Sequence, residues 1–297
     1  MFLGDSLTEG VGSKRISHVA ELVSQLRAAS DVNVHEFRLR PIDTLSRDIE
    51  FNVAGFMNVD AQQNPSDVWL WNLACEGQTI EADFGWLPLI AALHPELVVV
   101  FRGSLESIIR PAMLRDGKWP WWVPVSWRGY AAMDPRCYFS TTWWRKAKQT
   151  SLDALKQKAR LRLLKVSPGK PLMDLELLAT HQTELLRQLR VLGTRVLVLG
   201  LLPVDDARFP GSPEHFKSVN TRLRQIAEAE GAEFFDWASL LPTNGKHSEL
   251  FYRDSFHPNA AGAETLAKIF VGVALRGHPF KTFHATRGGH GGPPLQR

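Results

Sequence analysis

Short apolar runs bounded by turn residues alternate along this chain with stretches whose apolar residues recur at helical spacing, and that alternation leaves few folds open. Met1–Leu3, Val68–Leu73, Leu97–Phe101, Arg195–Leu202 and Glu233–Trp237 read as buried strands. Helical patterns fall between and after them, at Ser17–Ala29, Ile80–Leu93, Leu172–Leu192, His215–Glu230 and Ala260–Leu275. Gly193 and Gly231 stand just past two of these helices, where a left-handed cap is wanted. Strands joined through helices pair side by side in parallel, so the pattern predicts βαβ units and a parallel sheet.

One tract interrupts the rhythm. From about residue 108 to 167 the chain holds Trp119, Trp121, Trp122, Trp127, Trp143 and Trp144 with Pro111, Pro120, Pro124 and Pro135, and it reads as an insertion on the carboxyl side of the sheet. Its second half, Ser151–Val166, carries leucines near helical spacing and is expected to be a helix. The tryptophans fit a small accessory core, a platform for sugar rings, a cover for an acyl chain or a membrane-interface patch. Residues 287–297, rich in glycine and proline, are expected to be a disordered tail behind a single domain over 1–286.

The 297 residues suffice for a full core, and 44% hydrophobic with 22% charged residues is the balance of an ordinary soluble protein. No apolar run approaches the roughly 18 residues of a membrane span. The first residues lack the features of a secretory signal, so the expected location is the cytoplasm; a start further upstream carrying a signal would make the protein secreted. Cys75 and Cys137 match no metal spacing or disulfide framework and read as free thiols, and no metal or organic cofactor is implied. Net charge is +4, yet Arg145, Lys146, Lys148, Lys156, Lys158, Arg160, Arg162, Lys165 and Lys170 face a single acid, Asp153. No nucleic-acid motif accompanies them; the reading is a solvated face, with weak contact to a membrane surface left open.

The opening "MFLGDSLTEG" places Ser6 where a buried strand ends and a helix starts, a position that holds a hydroxyl rigidly beside free backbone donors. A hydroxyl becomes a nucleophile only with a base in reach and a partner orienting that base. Among ten histidines, His257 stands out: in "RDSFHPN" it follows Asp254 by three residues and precedes a helix, so a tight turn can set the carboxylate under one ring nitrogen.

"GDSLTEG" near one end and "DSFHPN" near the other resemble the SGNH hydrolases, also called the GDSL esterases and lipases. "NLACEGQT" is similar to the family's second block, with Asn72 and Gly77, and "VNTRLRQIAEAEGAEFFDW" to its last helix and strand. The resemblance covers roughly residues 1–105 and 193–275, with the insertion outside it. It implies a three-layer α/β/α sandwich with a parallel flavodoxin-like sheet and a site at the carboxyl ends of the strands. It also implies Ser6 as nucleophile, His257 as base and then acid, Asp254 as orienting carboxylate, backbone N–H groups of Ser6 and Gly77 in the oxyanion hole, and Asp5, Asn72 and Arg102 as supporting residues.

The third block departs from the pattern. "FRGSLES" sets Leu105 where the family has an asparagine amide, and leucine donates no hydrogen bond. Three outcomes stay open: Ser104 or Arg102 supplies the donor, the hole runs on two donors, or catalysis is abandoned. Losing one such donor costs about 10²–10³ in rate. The expected function is a serine esterase acting on a carboxylic ester, of an acetylated carbohydrate or another small acyl compound. An O-acyltransferase and a non-catalytic carbohydrate- or lipid-binding protein are the alternatives.

Overall fold

The structure, a computed structural model, describes residues 1–9, 17–28, 33–38, 67–129, 132–135, 142–241, 247–252 and 254–274. The expected tail and Cys137 lie outside the described residues.

Eight strands follow in chain order: β1 (Phe2–Gly4), β2 (Asn33–Arg38), β3 (Asp67–Asn72), β4 (Leu97–Phe101), β5 (Arg110–Pro111), β6 (Gly169–Lys170), β7 (Arg195–Leu199) and β8 (Glu233–Phe235). Six of them form one parallel sheet in the order β2-β3-β1-β4-β7-β8. The apolar runs became its centre, since strands covered on both faces must be apolar throughout. β2 is the strand that the sequence reading missed. It lies at the sheet edge, half exposed, and its aromatic partners are across the strand: His35 stacks on Trp69 at 4.3 Å and Phe37 on Trp71 at 4.5 Å.

Helices flank the sheet as the sandwich requires. His18–Ala28 packs with Ala260–Ala274, and Leu175–Val191 packs with Ser212–Ala229. The expected single helix over 80–93 is instead a 3₁₀ turn, Ile80–Trp86, followed by an α-helix, Leu87–Leu93, with Pro88 in its first turn. Proline is accepted there because an N–H in the first turn has no helical partner to lose.

β1 leads toward β2 on one side of the sheet, while β4 leads toward β7 on the other. The crevice beyond their carboxyl ends is therefore the place where an open α/β sheet takes its ligand. Gly4 closes β1 where the backbone passes Thr8, and a Cβ at Gly4 would run into the fully buried Thr8 side chain. A β-branched neighbour has little rotamer freedom to give way.

The antiparallel pair β5–β6 closes the base of the insertion. Above it, Leu114, Val123, Met133, Ala159 and Leu163 form a small second core with Trp119 and Trp127 against it. Trp121, Trp122, Trp143 and Trp144 stay exposed, so the tryptophans divide between accessory core and surface. The insertion helix runs over Trp143–Val166, starting eight residues before the expected Ser151. Its first two turns bury nothing, and so carry no apolar period to read.

Gly4→Ala should lower stability by about 1–3 kcal/mol, the usual cost of forcing a methyl into a filled core, as measured by urea unfolding.

Candidate active site

Three loops leave the sheet edge together. At the end of β1, the buried Asp5 caps a short helix, Ser6–Glu9: its Oδ1 accepts the Leu7 N–H at 2.9 Å, and its main-chain oxygen accepts those of Thr8 and Glu9. Ser6 is the first residue of that helix, so its amide has no partner within the helix. Ser6 is described by its backbone alone.

The loop after β3 is pinned at both ends. Asn72 Oδ1 accepts the Ala74 N–H at 3.1 Å, Cys75 donates its N–H to the Gly4 carbonyl at 3.2 Å, and Glu76 donates its N–H to Glu9 Oε2 at 2.6 Å. Gly77 follows with φ +74°, a left-handed turn that only glycine adopts without strain. Beyond it Arg102 Nη1 donates to the Gln78 carbonyl at 2.7 Å, and Glu106 Oε1 accepts the Ile80 N–H at 2.7 Å. Gly77 is thereby tied to the helix that begins with Ser6. Cys75 Sγ lies 3.8 Å from the Glu76 carbonyl in this loop.

Arg102 is fully buried and holds Asp83 with two hydrogen bonds, Nε to Oδ2 at 2.8 Å and Nη2 to Oδ1 at 2.6 Å. With Gln78 also bound, it is a strut beneath the loop. Three of its five N–H groups are engaged in these bonds. Ser104 is buried, and its hydroxyl makes no hydrogen bond among the described residues; Leu105 is half-buried.

One guanidinium thus faces three buried carboxylates, Asp5, Asp83 and Glu106. Burial opposes its charge, but the Asp83 contact and the nearby Glu106 and Asp5 together hold it above its ordinary range. Burial pushes the Glu106 carboxyl up to about 7 against the pull of Arg102, and Asp5 adds to the rise. Burial raises Asp5 too, opposed by Arg102, by the Leu7 N–H and by His257. Glu9, Asp83 and Glu106 were missed in the sequence. Glu9 and Glu106 lie inside the quoted blocks, whereas nothing in the sequence near Asp83 signals a partner.

His257 comes to this place from the far end of the chain. Asp254 is buried; its Oδ2 lies 2.7 Å from His257 Nδ1, while its Oδ1 accepts the N–H groups of Phe256 and His257, both at 3.1 Å. Ser255 takes a left-handed φ of 56° to close the turn. Asn259 caps the helix behind it, its Oδ1 accepting the Gly262 N–H at 3.0 Å. That helix, Ala260–Ala274, reaches β1 through Phe270 and Phe2, whose rings lie 5.6 Å apart. His257 interacts electrostatically with Asp5, the residue before Ser6, which sets the Asp254–His257 turn near the end of β1. The His257 side chain is 16% exposed.

The GDSL-like lipase/acylhydrolase family model matches residues 139–265, a span that contains Asp254 and His257. The match covers less than half of the chain, and over those residues the chain is similar to that family. The match reaches back into the insertion helix, which the sequence reading had placed outside the resemblance. Among solved structures, a lipase/acylhydrolase from Enterococcus faecalis has a TM-score of 0.52 at 13% identity, covering 93% of this chain and 94% of that one. An acetylxylan esterase from Geobacillus stearothermophilus, in a catalytic mutant form, has a TM-score of 0.50 at 13% identity, over 91% and 90% of the two chains. At these identities the likeness is one of fold, and the SGNH hydrolase sandwich is the fold they share. No curated protein matches the chain in sequence.

Glu106 gives the protein a measurable pH dependence. Its folded pKa is raised, so the stability tied to its proton is complete below the unfolded value of 4.5 and lost as pH rises through about 7. Glu106→Gln keeps the acceptor for Ile80 and removes the titration. At pH 8 the variant should be more stable than the parent by about 1–3 kcal/mol in urea unfolding, and at pH 4.5 the difference should vanish.

Proposed function

We propose that the protein is a serine esterase that hydrolyses a small acyl ester through an acyl-enzyme on Ser6. The observation that carries the reading is the His257 Nδ1 to Asp254 Oδ2 contact at 2.7 Å, in a turn that interacts electrostatically with Asp5, the residue before Ser6. Asp254, already accepting two backbone N–H groups, fixes the imidazole with Nδ1 toward the carboxylate and leaves Nε2 as the working nitrogen. In the first step the Ser6 hydroxyl attacks the ester carbonyl carbon and passes its proton to Nε2. The tetrahedral oxyanion accepts hydrogen bonds from the Ser6 and Gly77 amides. His257 then protonates the departing alcohol, and a water activated by the same ring releases the acid.

The oxyanion hole in this reading rests on two backbone donors. Leu105 contributes none, Arg102 is buried against Asp83 and Gln78, and the Ser104 hydroxyl is closed off from solvent. Such a hole favours esters with good leaving groups, which need least help at the carbonyl. The esterase from Geobacillus stearothermophilus acts on acetylxylan, which makes acetylated oligosaccharides the first natural substrates to try.

The protein should release p-nitrophenol from p-nitrophenyl acetate and acetate from acetylated xylooligosaccharides, with Ser6→Ala and His257→Ala each lowering kcat by about 10³-fold or more. Leu105→Asn, which restores an amide at the third block, should raise kcat at least about 10-fold. Turnover of neither substrate by the folded parent protein, or turnover undiminished in Ser6→Ala, would sink the reading.

A further inference from the structure

We propose that the outer face of the insertion helix, Trp143–Val166, seats on the surface of an anionic lipid bilayer. The helix has two unlike sides. Inward, Lys156 Nζ donates to the Ala132 carbonyl at 2.6 Å, Gln157 donates to the carbonyls of Ala207 and Arg208, Arg160 pairs with Asp134 at 3.2 Å, and Leu163 is buried. These contacts fix the helix to the body of the protein.

Outward, the face is apolar and basic together. Trp143 is 79% exposed and Val166 70%, with Trp144 and Leu155 exposed between them; the neighbouring loop adds Trp121 at 91%, Val125 at 76% and Trp122. The spacing of Trp144, Lys148, Leu155, Arg162 and Val166 repeats at helical intervals along one side. The loop joins the same patch, because the Arg162 guanidinium lies over the Trp122 ring at 5.9 Å, and Arg145 lies over Trp144 at 5.1 Å. Lys148, Lys158 and Lys165 are exposed on this side, and the only acid of the helix, Asp153, is buried.

Seven large apolar side chains left in water on one patch mark a binding surface. The charge decides its partner: cations interleaved with tryptophans suit a surface that is negative outside and apolar a few ångströms below. Aliphatic Val125, Leu155 and Val166 favour lipid over an acidic polysaccharide, because aliphatic groups have no ring face to stack on sugars.

The placement also reaches the candidate active site. On the inner side the Arg160 guanidinium lies over Phe209 at 4.6 Å, Phe209 lies 6.0 Å from Phe256, and Phe256 lies 4.9 Å from His257. A bilayer on the outer face would sit about one helix diameter, ~10 Å, from that aromatic wall. Binding is nonetheless independent of whether the site hydrolyses anything.

The test is co-sedimentation of the full chain with large vesicles of phosphatidylglycerol and phosphatidylcholine, against vesicles of phosphatidylcholine alone. Binding should be at least about 10-fold tighter to the anionic vesicles and should weaken as salt is raised. The triple variants Lys148→Glu/Lys158→Glu/Lys165→Glu and Trp121→Ala/Trp143→Ala/Trp144→Ala should each lose about 10-fold or more, with thermal melts matching the parent to show that they fold. Equal binding of the parent protein to both vesicle types would overturn the proposal without recourse to any variant. So would binding to polygalacturonate but not to vesicles, or a homodimer in analytical ultracentrifugation that buries these tryptophans.

Discussion

β1 is three residues long, and it is held on both sides: Phe2 pairs with Asn72 of β3 and with Val99 of β4. Because all three strands run parallel, their carboxyl ends open at the same sheet edge, and everything placed just after them is forced together. Gly4 lets the chain turn tightly against Thr8, Asp5 caps the helix that follows, and Ser6 is set at its first position. A hairpin-built sheet would have sent neighbouring loops to opposite edges. The parallel arrangement is therefore what lets residues from blocks far apart in sequence share one crevice.

The second determinant is electrostatic. Arg102 bridges the loops after β3 and β4, and it does so in a buried position where its charge must be matched. Asp83 matches it with two hydrogen bonds; Asp5 and Glu106 then crowd the same region with further negative charge. Each of those carboxylates holds a backbone N–H that shapes the site, Leu7 for Asp5 and Ile80 for Glu106. The cluster trades stability at neutral and alkaline pH for a rigid loop around Gly77. Preorganised backbone donors need such rigidity, since their value lies in not having to move when charge develops.

Much of this was readable from the residues. The central strands announced themselves as apolar runs, and "GDSL" with "DSFHPN" marked the two halves of the candidate site, because a strand-to-helix serine and an Asp-His turn have local signatures. β2 escaped because an edge strand pairs its rings across to β3 and shows no apolar run of its own. The start of the insertion helix escaped because its first turns face water. The Arg102–Asp83 pair could not be read at all: the two residues lie 19 apart, and nothing near Asp83 hints at a partner. The fate of the six tryptophans was equally hidden, since only packing separates Trp119 and Trp127 in a small core from four others on the surface.

At the centre of the account stands a serine made nucleophilic by His257, with Asp254 behind the ring. Its most direct test is to treat the protein with a fluorophosphonate and map the adduct by tandem mass spectrometry. One equivalent should form on Ser6 in the parent protein, with labelling lost in His257→Ala and slowed in Asp254→Asn. A folded parent protein that takes up no label, or carries it on another residue, would contradict the account.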